Sequence, residues 1–186
     1  MDRRWLAFLP GVLILLMPPL LLWPLPWVGG EALVTAPWSE GPAHLWGYWA
    51  AQQAGSIEFE SSLLSHPTGQ AIHLIDPLHL LPFALGCALG GPALGFNFVL
   101  CFGLMVAGSA GYLLARQTGA NAEGILLGTC IGLAIPGLLA IGVDGITEGL
   151  GAGWVGIQLV ALLQVIERPK LRSVGLLGLS GAACAW

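Results

Sequence analysis

The chain reads as all-α: a polytopic transmembrane helix bundle with a long first extracytoplasmic loop that carries interfacial helices. Three observations predict this class. Charged residues are 9% of the chain, hydrophobic residues 56%, and the mean hydropathy is +0.82, whereas a soluble domain carries roughly 25% charge and could not cover its surface with so little. Several uncharged runs approach the about 20 residues needed to cross a hydrocarbon core. Finally, the Lys and Arg residues are confined to Arg3, Arg4, Arg116, Arg168, Lys170 and Arg172, which a multi-pass protein can keep on its cytoplasmic side.

The first span is predicted over residues 5–27, anchored inside by Arg3 and Arg4, kinked at Pro18 and Pro19, and closed near Pro24 and Pro26 with Trp23 and Trp27 in the aromatic belt. A cleavable leader is the rival, with Val34-Thr35-Ala36 as its cleavage site, but its apolar core is too long and Pro37 follows the site directly. An uncleaved anchor is preferred. Residues 28–75 then form a polar outer loop containing His44, His66 and His73. Pro42 suits the first position of an interfacial helix running to Ala54, on which Trp46 and Trp49 lie three apart beside Leu45.

Residues 77–90 are apolar but too short to span, and Gly90-Gly91-Pro92 ends them. They read as an interfacial or re-entrant helix, with Asp76 as its cap and Pro77 at its first position. Further spans are expected over residues 92–116, 121–142 and 151–166. Gly103, Ala107 and Gly111 lie four apart on one, and Gly124, Gly128 and Gly132 on the next, as in helices that pack closely in lipid. A fifth apolar run, residues 173–186, stops short of spanning length, so the chain looks truncated.

One membrane domain, residues 1–186, is the working division. The order in, out, in, out, in places every basic residue inside and predicts a plasma (cell inner) membrane protein with a cytoplasmic N-terminus. Glu31, Glu40, Glu58, Glu60, Asp76, Asp144 and Glu148 then fall outside. The net charge of −4 and the lack of a basic, aromatic-interleaved patch set nucleic acid aside. Cys87, Cys101, Cys130 and Cys184 stand singly in apolar runs without ligand spacing and read as small core hydrophobes.

The order of features carries a resemblance. A first span is followed by Ser39-Glu40-Gly41-Pro42-Ala43-His44-Leu45-Trp46, by His66-Pro67-Thr68-Gly69 and by Asp76-Pro77. Then come Gly91-Pro92 with Asn97, the span ending Gly111-Tyr112-Leu113-Leu114-Ala115-Arg116, and the return turn from Glu148 to Trp154. Up to about Pro169 this resembles the N-terminal part of the GT-C superfamily of membrane glycosyltransferases. The resemblance implies transfer of a sugar from a polyprenyl-phosphate donor to an acceptor at the extracytoplasmic face, with an essential acid in the first outer loop. Glu40 matches that position, where the family more often has Asp.

Chemically, a carboxylate at the interface can take the acceptor hydroxyl's proton as general base, with His44 orienting it or the acceptor. The plain alternative is a solvated loop acid before a helix, favourable there without catalysis, with His44 and Tyr48 on that helix's polar face. Around Glu40 the expected substrate-binding groups are His44, His66, Asp76, Asp144 and Glu148. His66, His73, Asp76 and His79 also raise a divalent-metal reading, although Pro77 argues against one continuous helical face through them. A lipid phosphate wants Arg, Lys, a metal or a helix N-terminus. The outer side offers no cationic side chain, so either a metal or the segment completing the fifth helix supplies one if the resemblance holds, and the segment is the expectation. Membrane lipids and the lipid-linked donor are the expected partners. The rival classes are a transporter or channel component, suited by a helix broken near Pro136 and Gly137, and a structural subunit.

Overall fold

The computed structural model describes residues 8–22, 25–36, 38–61, 69–73 and 77–185, without the side chains of Pro26, His73, Glu148 and Ala185. Helix dominates. The helices are α1 (Leu9–Leu21), α2 (Leu25–Val28), α3 (Gly41–Ala54), α4 (Leu80–Gly90), α5 (Pro92–Gln117), α6 (Ala122–Leu133), α7 (Pro136–Asp144), α8 (Ala152–Glu167) and α9 (Leu171–Ala185). Short 3-10 turns at Pro77–His79 and Glu148–Gly151 lead into α4 and α8.

Three segments are long and apolar enough to cross a membrane: Pro92–Gln117, Ala122–Asp144 and Gly149–Glu167. They coincide with the expected spans. The first expected span does not emerge as one helix over residues 5–27, because α1 covers 13 residues, about 20 Å at the α-helical rise. Its internal Pro18 and Pro19 remove two ladder donors, and Leu22 leaves helical geometry at ψ 50°. The described part of the expected run at 173–186 falls in α9, laid along α8. Trp23, Pro24 and Pro37 lie outside the described residues.

The segment Ala122–Asp144 is broken where proline dictates. Asn121 caps α6 by accepting a hydrogen bond from the Gly124 amide at 2.8 Å. Ile135, immediately before Pro136, is driven to ψ 115°, and α7 restarts with that proline in its first turn.

The all-α expectation misses one element pair. In the segment between α3 and α4, β1 (Glu58–Ser61) pairs antiparallel with β2 (Gln70–His73), with Phe59 opposite Ile72 and Glu58 opposite His73. The alternation Ile57-Glu58-Phe59-Glu60 is the period-2 signal for it, and Phe59 turns towards Trp46, ring centroids 6.2 Å apart.

Helix α5 is the central post, contacting α1, α4, α6 and α8. Its buried side includes Phe96, Val99, Leu100 and Leu104. Small residues set its neighbours' approach. A Cβ on Gly111 would fall on the Gly128 carbonyl, one on Gly132 on the Ala107 carbonyl, and one on Gly153 2.7 Å from the Ala107 amide nitrogen. The expected stripes therefore meet each other, except that Gly103 faces the Leu150 side chain and Gly124 faces Ala120 and the capping Asn121.

Outward-facing Leu15, Leu16, Leu127, Ile131, Leu159 and Ile166 leave the flanks apolar. Thr129, Ser109 and Ser180 satisfy their hydroxyls on carbonyls one turn back. Cys87 and Cys101 are half-buried against the core, whereas Cys130 and Cys184 are exposed on the flanks, so the core assignment fails for those two.

Candidate active site

Helices α3 and α4, the start of α5 and the turn between α7 and α8 meet at one end of the bundle. The first loop is clamped there by Asn97, which is fully buried. Its Nδ2 donates to the carbonyls of Gly29 and Ala32, both at 2.9 Å, and its Oδ1 accepts from the Val34 amide at 3.2 Å. The stretch beyond is tied to α7: the Ala36 amide donates to the Val143 carbonyl at 2.8 Å and the Glu40 amide to the Asp144 carbonyl at 3.0 Å. Gly145 closes α7 at φ 71°, and a Cβ there would lie 2.5 Å from the Gly41 Cα. Only glycine meets both conditions. The first turn of α3 is thus pinned against the end of α7.

This pinning brings together a polar chain that runs from solvent into the core. Glu40 Oε2 lies 3.5 Å from His44 Nε2, with the Glu40 side chain 68% exposed and that of His44 18%. His44 Nδ1 lies 3.1 Å from Thr147 Oγ1. The Tyr48 hydroxyl donates to Thr147 Oγ1 at 2.9 Å, and Tyr48 Oη lies 3.2 Å from His79 Nδ1. Thr147, Tyr48 and His79 are all buried.

One proton arrangement satisfies every step. With Glu40 as an acceptor only, the tautomer that fits these contacts has the His44 proton on Nε2, towards Glu40. Its Nδ1 then accepts from the Thr147 hydroxyl, Thr147 accepts from Tyr48, and Tyr48 accepts from His79 Nδ1–H. All donors point towards Glu40. Around the chain, the Tyr48 ring packs on Phe83 at 5.5 Å and the His79 ring stands edge-on to Phe102 at 6.0 Å. Burial pushes the His79 imidazole down to about 4, because the charged ring would lose its hydration.

Of the residues expected from sequence, the structure joins Glu40 and His44 directly and attaches Asp144 through its backbone carbonyl. The Asp144 side chain is exposed. Glu148 follows Thr147 in the same turn, but its side chain lies outside the described residues, as do His66 and Asp76 altogether. Glu40 occupies the capping position of α3 without capping it; Ser39 Oγ instead accepts from the Gly41 amide at 3.2 Å.

The alternative that puts His44 and Tyr48 on the polar face of an interfacial helix meets a buried Tyr48 and a half-buried His44. Tyr48 and Ala51 lie on the buried side of α3, while Trp49 is 40% exposed. The reason is long-range: Thr147 and His79, far along the chain, supply the partners that make burying these polar groups inexpensive. Thr147 was missed, since a lone Thr in an Ile-Thr-Glu turn carries no sequence signal.

The metal reading loses its helical premise, since His73 lies in β2 and His79 ends a 3-10 turn. Among the described residues no cluster of three or more His, Cys, Asp or Glu could hold an ion.

An apolar groove of about 660 Å³ runs along the flank between α6–α7 and α8, floored by Ala107, Ala110 and Gly111 of α5. One end reaches Ile141 and Gly149, the latter two residues beyond Thr147. Comparison of the chain with protein-family models, curated proteins and solved structures gave no match.

Proposed function

We propose that the chain belongs to an integral-membrane glycosyltransferase that moves a sugar from a polyprenyl-phosphate donor to an acceptor hydroxyl at the extracytoplasmic face, with Glu40 as general base. The observation that carries this reading is the exposed Glu40 carboxylate backed by His44, Thr147, Tyr48 and His79. The loop order shared with the resembled superfamily supports it. Glu40 takes the proton of the acceptor hydroxyl as that oxygen bonds to the sugar's anomeric carbon. The bond from that carbon to the phosphate breaks, and the polyprenyl phosphate leaves with the electron pair. His44 positions the carboxylate, and the hydrogen-bonded groups behind it hold the imidazole in one tautomer. The groove ending at Gly149 suits the donor's isoprenoid chain, which would bring its phosphate to the Thr147 turn.

In this reading the Pro92–Gln117, Ala122–Asp144 and Gly149–Glu167 helices cross the plasma (cell inner) membrane with the Glu40 end outside. Clustering of Arg116, Arg168, Lys170 and Arg172 at the opposite end supports that orientation. A transporter is less well supported, because the break between α6 and α7 is flanked by Ala134, Ile135, Pro136 and Gly137, which offer no side chain to bind a polar substrate.

The test is transfer from a lipid-linked sugar in membranes carrying the full-length protein. Glu40→Gln should lower kcat by roughly 10²–10⁴-fold, with the protein still inserted and folded. Unchanged transfer removes Glu40 as the base.

A further inference from the structure

At the end of the bundle opposite Glu40, the last turn of α5, the last turn of α8 and the first turn of α9 surround a cleft of about 450 Å³. Arg116, Arg168, Lys170 and Arg172 line it, with Glu167 as the one acid, a surplus of three positive charges (four minus one). Glu167 Oε2 accepts a hydrogen bond from Gln117 Nε2 at 2.8 Å. Among the described residues no ion pair joins any of the four cations to a carboxylate. Arg116 is held in place: its Nη1 donates to the Tyr112 hydroxyl at 3.0 Å and its guanidinium lies 5.5 Å from the centre of that ring.

Four like charges drawn around one concavity repel each other unless an anion enters. A phosphate fits best, because Arg guanidinium groups bind it through paired N–H donors. The surroundings select its source. Ile166 is 70% exposed and Leu171 91%, and each is next in the chain to residues that line the cleft, Glu167 for the first and Lys170 and Arg172 for the second. A free phosphate would leave them uncovered.

We infer that this cleft binds the headgroup of an acidic phospholipid, with the phosphate among Arg116, Arg168, Lys170 and Arg172 and the acyl chains against Ile166 and Leu171. The site clamps the junction of α8 and α9 to the end of α5. It is independent of the Glu40 chemistry.

The experiment is native mass spectrometry of the full-length protein in a non-ionic detergent, titrated separately with phosphatidylglycerol, phosphatidylcholine and inorganic phosphate. Phosphatidylglycerol should be retained at least tenfold better than phosphatidylcholine. With about fivefold per cation near a lipid surface, the combined Arg168→Gln, Lys170→Gln and Arg172→Gln variant should lose that preference. Arg168→Lys with Arg172→Lys, which keeps the charge and loses the paired N–H donors, should retain an intermediate preference. Should the neutralised protein fail to fold, Arg116→Gln alone reads the same site and should weaken phosphatidylglycerol retention severalfold. Equal retention of the two lipids, an unaltered preference in the neutralised variants, or displacement of phosphatidylglycerol by equimolar inorganic phosphate would each overturn the assignment.

Discussion

His79 ties the core of the candidate site to solution pH. Its imidazole is pushed from 6.5 down to about 4 by burial, so between those values the unfolded chain binds the proton that the folded one excludes. Stability is therefore full above pH 6.5, falls as the pH drops through this window, and levels off below about 4. The span corresponds to at most roughly 3 kcal/mol. Thermal unfolding in detergent at pH 7, 5.5 and 4 checks it: the wild-type midpoint should fall with acid. The difference from His79→Gln, which cannot titrate, should narrow over the same range. A pH-independent difference would show that the ring's burial is not what sets its charge. At the same scale, Glu40 and His44 were legible as an acid and a His four apart. The groups behind them, Thr147 on His44 and His79 on Tyr48, were not, because a hydrogen bond across such separations leaves no trace in local spacing.

At the scale of elements, glycine sets how close the helices come. The Cβ of any residue at 132 would fall on the Ala107 carbonyl, which is backbone and cannot swing aside. Gly132→Leu should therefore force α6 away from α5, at a cost of about 1–3 kcal/mol or more. Gly175→Ala in α9, with nothing within 4 Å of the new methyl, should be neutral or gain about 0.5–1 kcal/mol from helix propensity. Melting temperatures of the two purified variants check this; equal effects would mean the stripe is not at a tight interface. Element type was mostly readable, since the apolar runs are long and Pro92, Pro136 and Asn121 mark helix starts. The β1–β2 ribbon escaped because each strand is only 4 residues long.

Across the whole molecule, polarity is divided between two ends. Glu40, Asp144 and the ribbon lie at one end, and Arg116, Arg168, Lys170 and Arg172 at the other, separated by α5, about 39 Å long at the helical rise. The proposed orientation puts Glu58, which is exposed on β1, outside the cell. A cysteine introduced there as Glu58→Cys, in a background with the native cysteines replaced, should react with an impermeant maleimide on intact cells. Labelling only after the cytosolic face is opened would overturn the orientation and the glycosyltransferase proposal with it.

Composition and hydropathy by themselves determined that the chain is helical and apolar enough for membrane-length segments, because such helices satisfy their own backbone groups and need only local sequence to be recognised. The short-range signals of Pro and Gly located most of their ends. Only the tertiary structure decided which side of α3 faces inward. Tyr48 and His44 are polar, and their burial becomes favourable only when the α7–α8 turn delivers Thr147 and the turn before α4 delivers His79.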